Sequence, residues 1–174
     1  MDLKSLSKKI WNDFIVPCIV GMLVGLTVNL FVGFTSVSGM SMYPTLNHKD
    51  FLYMSKISKD NATNGDIIVF DTTPEEMFFN KVYYIKRLIA KEGDHVVIKD
   101  GKVKVNNVEL IEDYTDGSVT EGDVDVVVPQ GKYFVLGDNR DGSTDSRVFG
   151  LVSQENVVGV VKGRIFPFKA ISNK

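Results

Sequence analysis

The hydrophobic pattern of the chain changes sharply near residue 35. The run from Phe14 to Phe34 has no charged side chain and is apolar on every face of a helix. About 20 apolar residues are enough for a helix to cross a bilayer. We therefore predict a transmembrane anchor at residues 14–34.

The basic residues around this run predict its orientation. Three lysines lie within residues 1–13, and no basic residue follows the run until Lys49. Because positive charge is retained on the cytoplasmic side, residues 1–13 are expected in the cytoplasm and residues 35–174 outside. This arrangement corresponds to a single-pass protein of the cell membrane.

The apolar run has two other interpretations. A core helix would be apolar on one face only, which does not fit this pattern. A cleaved signal peptide is the stronger rival, because Ser36, Val37 and Ser38 have a cleavage-like spacing. Against it, the run is longer than the hydrophobic region of a usual signal peptide, and cleavage there would leave Ser41 beside a new terminus.

Beyond the anchor, short apolar runs separated by turn residues are typical of β-strands. Asp100-Gly101 and Asn106-Asn107 predict hairpin turns, since these residues tolerate positive φ, and no amphipathic helix pattern is present. The fold class is therefore mainly β, with one compact antiparallel, Greek-key or barrel-like domain at 35–174. The predicted strands are Phe51–Met54, Ile67–Phe70, Val82–Ala90, Val96–Ile98, Val103–Val105, Val124–Val128, Tyr133–Leu136 and Val157–Val161.

Composition and charge narrow the classes of function. The 174 residues include 20 basic and 22 acidic side chains, a balance that gives no support for nucleic-acid binding. Cys18 is the only cysteine, so an intramolecular disulfide is impossible. His48 and His95 lack metal-ligand spacing, and catalysis is therefore expected without a metal or cofactor.

Three polar stretches carry the candidate chemistry, and the first two supply a nucleophile and a base. Residues 38–46 (SGMSMYPTL) place Ser41 just outside the anchor, but a serine hydroxyl needs a neighbouring base to become reactive. Lys86 lies within an apolar strand, where burial lowers a lysine pKa to about 8 and frees the amine. Alternation sends Lys86 and Arg87 to opposite faces, so only one need enter the site. A solvated Lys–Arg pair on a surface strand is the alternative.

The third stretch is the polar turn at residues 137–147 (GDNRDGSTDSR). A calcium loop would have to begin at Gly137 and end at Val148, neither of which supplies a carboxylate ligand. An ordinary Asp-Gly turn remains an alternative for this stretch taken alone.

Together and in this order, the three stretches resemble the conserved boxes of bacterial type I signal peptidases, which are membrane-anchored Ser–Lys proteases. The resemblance runs from the anchor to Phe168. It implies that Ser41 is the nucleophile and Lys86 the general base, in a mainly β catalytic domain on the outer membrane face. The lysine and the short spacing between the last two boxes resemble the compact Gram-positive enzymes.

The resemblance also implies roles for other residues. Ser143 is expected to hydrogen-bond the lysine amine, while Asp145 and Arg147 are expected to form a salt bridge beside the site. The remaining supporting or structural positions are Gly39, Met42, Pro44, Arg87, Asp138 and Arg140.

Gly39 is a departure from the Gram-negative pattern, in which a serine two positions before the nucleophile donates to the oxyanion. The backbone N–H of Ser41 is expected to supply one donor, and the second stays unassigned. The absence of one donor can cost roughly 3 kcal/mol of transition-state stabilisation.

The implied substrates are secretory preproteins with small residues at positions −1 and −3, which shallow apolar pockets would select. An extended substrate would pair with the chain leading into Ser41 and with strand 83–86. Membrane lipid and a nearby secretion translocon are the other expected partners. Met77–Phe79 and Phe166–Phe168 are either exposed contact patches or packed core edges.

Two other functions remain open at this point. One is a catalytically inactive, anchored β-domain that binds envelope ligands. The other is a Ser–Lys self-cleaving repressor, although such proteins are soluble and carry a DNA-binding region.

Overall fold

The N-terminal apolar run is helical in the computed structural model. Helix α1 (Leu3–Ile10) continues through a π-helical turn (Trp11–Ile15) into helix α2 (Val16–Phe31). The 25 residues Ser7–Phe31 are long and apolar enough to cross a membrane. No side chain of α2 is buried against the rest of the protein, and Leu30 is 71% exposed.

The helix ends three residues before the predicted boundary at residue 34, because the next residues join a sheet. Strand β1 (Val32–Ser36) pairs antiparallel with β2 (Phe51–Ser55). Gly33 lies opposite Met54, and a Cβ at this glycine would stand 2.6 Å from the Met54 side chain. Apolar residues suit a membrane span and a buried strand equally, so hydropathy alone could not locate this change.

The structure describes residues 3–73, 81–168 and 171. The residues after the helix form antiparallel sheets, with the strand orders β1-β2-β11-β3-β4-β9-β10 and β7-β6-β5-β8. Each of the predicted strand segments coincides with an observed strand, and a mainly β domain is thereby confirmed. The remaining strands are β3 (Ile67–Asp71), β4 (Tyr83–Lys91), β5 (His95–Lys99), β6 (Lys102–Val105), β7 (Val108–Glu109), β8 (Val124–Val127), β9 (Lys132–Leu136), β10 (Val152–Ser153) and β11 (Val157–Phe166).

Both predicted hairpin turns are confirmed. Asp100 and Gly101 have φ of 52° and 77° between β5 and β6, and Asn106 and Asn107 have φ of 53° and 67° between β6 and β7. A single helical turn, α3 (Ser146–Phe149), was not predicted. Asp145 accepts the backbone N–H of Arg147 there, which is the usual role of an N-cap carboxylate.

Strand β4 carries Lys86 and Arg87 and is paired on both edges along only part of its length. Along residues 83–87 it pairs with β3, but β9 begins to pair only at Arg87. Within the described part of the chain, residues 83–86 therefore keep one open edge. The buried side chains of Val37, Met42 and Leu46 fix the segment opposite this edge, because they pack into the core beside β2 and β3.

Arg87 is fully buried and joins three parts of the domain. Its guanidinium donates to both oxygens of Asp138, at 2.8 and 2.6 Å, and to the carbonyl of Gly65 at 2.8 Å. The ring of Tyr114 lies 3.9 Å from the guanidinium carbon. Asp138 also accepts from the Thr45 hydroxyl, so the same carboxylate ties the segment after Ser41 to β4.

We expect Asp138→Asn to destabilise the protein by about 3–5 kcal/mol, because it leaves the buried charge of Arg87 uncompensated. Chemical unfolding of the full chain in detergent would measure the change. Asp125→Asn is the matched control, since its side chain is 76% exposed and pairs only with His95 at the surface. Equal stability of the two variants would contradict this account of the buried pair.

Candidate active site

Ser41 and Lys86 meet in a cleft of about 440 Å³ lined by residues 35–42 and 83–86 together with Gly142 and Thr144. The Lys86 amine donates to Ser41 Oγ at 2.7 Å. The two residues are 45 positions apart in sequence, and the fold brings them together because the Ser41 loop lies over the open edge of β4.

The environment of Lys86 favours the neutral amine. Its side chain is 4% exposed, and no carboxylate among the described residues lies within ion-pair distance of it. Burial lowers the pKa of Lys86 from 10.5 to about 8, although the more distant charges of Asp145 and Asp138 act in the opposite direction. About one amine in ten is therefore unprotonated at pH 7, far more than at a pKa of 10.5, and the neutral amine is the form that a general base requires.

The loop around Ser41 is held from both sides. Met42, the next residue, is 1% exposed and anchors the loop in the core. On the other side, Asn139 donates through its backbone N–H to the Ser41 carbonyl and through its amide group to the Met40 carbonyl, both at 3.1 Å. Pro44 follows Tyr43 through a cis peptide bond. These contacts leave the Ser41 hydroxyl directed at Lys86.

Gly39 takes a conformation that favours glycine, with φ of 95° and open space where a Cβ would be. Its N–H donates to Nδ1 of His48 at 3.2 Å, and it is therefore already bonded. By contrast, the backbone N–H of Ser41 meets no acceptor among the described residues. That N–H remains available to an oxyanion, whereas the second donor stays unassigned.

The predicted pairing of Asp145 with Arg147 is present in the structure. Arg147 Nε lies 2.8 Å from Asp145 Oδ1, and the Gly137 N–H donates to Oδ2 at 3.0 Å. Burial alone would raise the pKa of Asp145, but these hydrogen bonds outweigh it and hold that pKa below its ordinary value. Asp145 therefore stays ionised and fixes the turn beside the cleft.

Ser143 occupies the predicted place but does not make the predicted contact. Its Oγ is buried and makes no hydrogen bond of normal geometry within the described chain, and the Lys86 amine donates to Ser41 instead. The hydroxyl lies close enough to Asp145 to lower its pKa. A Cβ at Gly137 would come within 2.2 Å of Ser143 Oγ, which shows how tightly the hydroxyl is enclosed.

Arg140 holds the polar turn to the segment between β7 and β8, as Asp138 holds it to β4. Both oxygens of Glu112 accept from its guanidinium, which also contacts the Thr120 hydroxyl. Arg140 Nε donates to the Gly137 carbonyl at 3.0 Å. The turn is thus fixed at two points, which supports the structural role predicted for Asp138 and Arg140.

Sequence reasoning left several positioning residues unassigned. Thr45 lies within residues 38–46 and Asn139 within residues 137–147. Their positions in these stretches could have indicated a role at the site. His48 and Arg164 had no such signal, because their contacts depend on the fold alone. Arg164 donates to the Thr45 carbonyl and pairs with Asp50 at 3.1 Å, both across the sheet.

Comparison with known proteins supports one family. Residues 10–166 match the family described as "Signal peptidase, peptidase S26". The chain belongs to the signal peptidase family. This result confirms the predicted resemblance and makes the protein a serine peptidase of the signal peptidase I type.

Individual relatives of this signal peptidase family member cover most of its length. Signal peptidase I T of Bacillus subtilis (strain 168) is 37% identical over 145 residues, which are 76% of this chain and 72% of the relative. Signal peptidase I of Bacillus caldolyticus is 37% identical over 178 residues, 91% of each chain. A crystal structure of a signal peptidase I from Enterococcus faecalis V583 is 36% identical, with a TM-score of 0.49 over 58% of this chain and 97% of that one.

The buried lysine of this peptidase should lower its stability in a pH-dependent way. With a folded pKa of about 8 and an ordinary value of 10.5, the unfolded chain binds more protons between these pH values. Stability from this group therefore rises with pH across that window, and below it the full penalty of about 3 kcal/mol applies. Lys86→Met should be inactive, yet more stable than wild type at pH 7.

Chemical unfolding of both proteins at pH 7 and pH 10 would measure this gap, which should narrow at the higher pH. Lys91→Met, at the exposed end of the same strand, controls for the loss of one positive charge. A Lys86→Met protein that is no more stable than wild type at pH 7 would refute the account based on desolvation.

Proposed function

We propose that this protein removes signal peptides from secretory preproteins as a membrane-anchored endopeptidase with a Ser41–Lys86 dyad. The observation that carries the proposal is the 2.7 Å contact between a buried lysine amine and a serine hydroxyl in an open cleft. Lys86 has the lowered pKa that a neutral base needs. The serine supplies the nucleophile that a peptidase of this family requires.

The reaction begins when neutral Lys86 takes the proton of Ser41 Oγ as that oxygen attacks the scissile carbonyl. The oxyanion that forms receives a hydrogen bond from the Ser41 backbone N–H. The Lys86 ammonium then returns the proton to the leaving amine, and the acyl-enzyme remains. Lys86 next deprotonates a water molecule, whose attack on the ester releases the signal peptide. The Lys86 ammonium returns the proton to the departing Ser41 Oγ, which restores both residues.

The cleft suits an extended substrate with small side chains. Residues 83–86 present an open strand edge, and residues 35–38 lie on the opposite wall. A segment lying between them would form backbone hydrogen bonds in the manner of an added strand. Ile85 packs with the buried Val37 and Met42, so the wall beside Ser41 is apolar and already filled. Small residues at positions −1 and −3 fit such a wall without displacing it.

Ser143 has an unused hydroxyl beside the dyad, and we assign it the role of orienting the lysine when substrate is bound. In the free protein the amine donates to Ser41. Once Ser41 is acylated, this acceptor is lost and the amine needs another. The buried Ser143 Oγ is a suitable partner, with Asp145 and Arg147 fixing the turn that carries it.

The apolar helix is the proposed anchor, with the N-terminus in the cytoplasm and the β domain outside. Its exposed apolar surface is stable in lipid rather than in water. Removal of a leader ending near Ser38 would take β1 away from β2 and would remove Val37, which is 5% exposed, from the core. These contacts favour a retained anchor over a cleaved signal peptide.

Membrane lipid and a secretion translocon are the proposed neighbours of the β domain. Phe166 and Phe168 are 66% and 88% exposed, which favours the contact-patch interpretation for this cluster. Phe34 stacks on Phe51 with ring centroids 6.1 Å apart on the outer face of the sheet. The other predicted cluster, Met77–Phe79, lies outside the described residues.

Ser41→Ala should abolish cleavage of a preprotein by the detergent-solubilised enzyme, because it removes the attacking oxygen and leaves the fold intact. Mass mapping of the products would measure cleavage and locate the cut bond. Ser118 does not line the cleft, and its side chain makes no hydrogen bond among the described residues, so Ser118→Ala should cleave at the wild-type rate. Processing by Ser41→Ala near that rate would show that the nucleophile lies elsewhere.

Protease added to intact protoplasts should degrade residues beyond Thr35 and spare the N-terminal segment, because the lysines of residues 1–13 hold it inside. Antibody tags at the two ends would follow the two parts separately. Protection of the β domain, with exposure only after lysis, would reverse the proposed orientation.

A further inference from the structure

A second cavity, separate from the catalytic cleft, opens where the apolar helix meets the β domain. It has a volume of about 570 Å³ and shares no lining residue with the cleft. One wall is Leu30, in the last turn of α2, and the polar walls include Lys56, Lys59 and Lys81. Three lysines thus converge at the end of a predicted membrane span.

Two of these lysines have no carboxylate partner. Among the described residues, Lys56 and Lys59 lie beyond ion-pair distance of every acidic side chain. Lys56 donates to the backbone carbonyl of Asn29 at 2.7 Å, which fixes its amine at the end of the helix. This contact leaves donor capacity on the same amine, since an ammonium group carries three protons.

The acidic residues of the cavity offset only part of the positive charge. Asp71 pairs with Lys81 at 3.2 Å and also accepts from the Thr73 backbone at 2.8 Å. Glu155 is the other carboxylate on the walls. Among the described lining residues, three ammonium groups against two carboxylates give a net charge of +1, which matches one phosphodiester.

The position of the cavity sets its depth in a membrane. Helix α2 ends at Phe31, and the stacked rings of Phe34 and Phe51 follow it on the outer face of β1 and β2. Exposed aromatic side chains at the end of a span are typical of the headgroup region. Lys56 and the neighbouring lysines therefore lie at the level of lipid phosphates.

We propose that this cavity binds the phosphate group of an anionic phospholipid, with Lys59 and Lys81 as its main ligands and Lys56 linking the site to the helix. The apolar side chain of Leu30 lies beside the lipid chains, which a free phosphate ion would not contact. The inference rests on the proposed membrane anchoring. Binding here would fix the height of the catalytic cleft above the membrane.

The test compares lipid probes on the full-length protein in a neutral detergent. Thermal unfolding is followed while phosphatidylglycerol, phosphatidylcholine or inorganic phosphate is added at constant ionic strength. We expect phosphatidylglycerol to stabilise the wild type at a concentration at least tenfold below that required of phosphatidylcholine. Inorganic phosphate should have no such effect at the same concentration.

The variant that removes the site is Lys59→Gln/Lys81→Gln. With a contribution of about fivefold in affinity from each lysine, loss of both should abolish the tenfold preference for phosphatidylglycerol. The matched control is Lys99→Gln/Lys104→Gln, which removes two exposed lysines from the smaller sheet and should keep the preference. Cleavage of a peptide substrate in the neutral detergent should equal wild type in both variants, which shows that they are folded.

Three results would overturn the proposal. An unchanged preference in Lys59→Gln/Lys81→Gln would place lipid selection elsewhere. An equal loss in the control would indicate diffuse charge rather than a site, and equal stabilisation by inorganic phosphate would indicate a free-anion site. Flotation with phosphatidylcholine vesicles tests the anchor itself, so a failure of anchoring is distinguished from a failure of the lipid site.

Discussion

Strand β4 carries two adjacent buried basic side chains, Arg87 and Lys86. The organisation of the domain depends on the different surroundings of these two side chains. Arg87 is fully compensated, since Asp138 binds it with both oxygens and Tyr114 covers its face. Lys86 is equally enclosed but has no ion-pair partner among the described residues, only the hydroxyl of Ser41. Arg87 therefore holds the fold together, while burial favours the neutral form of Lys86, which is the form that the proposed general base requires.

The lack of an ion-pair partner for Lys86 among the described residues lowers the stability of the protein but favours the neutral amine. A carboxylate beside Lys86 would relieve the penalty of burial, but it would raise the lysine pKa and remove the base. The two nearest acidic groups are each held by an arginine, Asp138 by Arg87 and Asp145 by Arg147. Their charges reach Lys86 only at a distance, so the pKa of about 8 is retained.

The same fold connects the candidate site to the apolar helix, the proposed membrane anchor. β1 follows α2 directly and leads through Val37 into the loop that carries Ser41, so the nucleophile stands within ten residues of the end of the helix. A displacement of α2 would move β1, which pairs with β2, and would therefore also move the loop that carries Ser41. The lysine cavity beside Leu30 and the aromatic residues of β1 and β2 lie on this same connection.

Much of this protein was determined by its sequence. The strands followed from local alternation and turn chemistry, and the three boxes identified Ser41, Lys86 and their family because residue type and order are local properties. The end of the helix at Phe31 was not predicted, since Val32 and Phe34 suit either a membrane or a sheet. The predicted contact of Ser143 with Lys86 is absent, because the fold places Ser41 Oγ, and not Ser143 Oγ, within hydrogen-bond distance of the amine.

The contacts of Asn139, His48 and Arg164 were decided by the tertiary structure alone. Each joins groups that are distant in sequence or lie on different elements, and no local pattern records such a distance. The burial of Lys86 depends on both the local sequence and the tertiary structure. Its apolar neighbours predicted it, but only the tertiary structure paired the nearby carboxylates of Asp138 and Asp145 with arginines instead of with this amine.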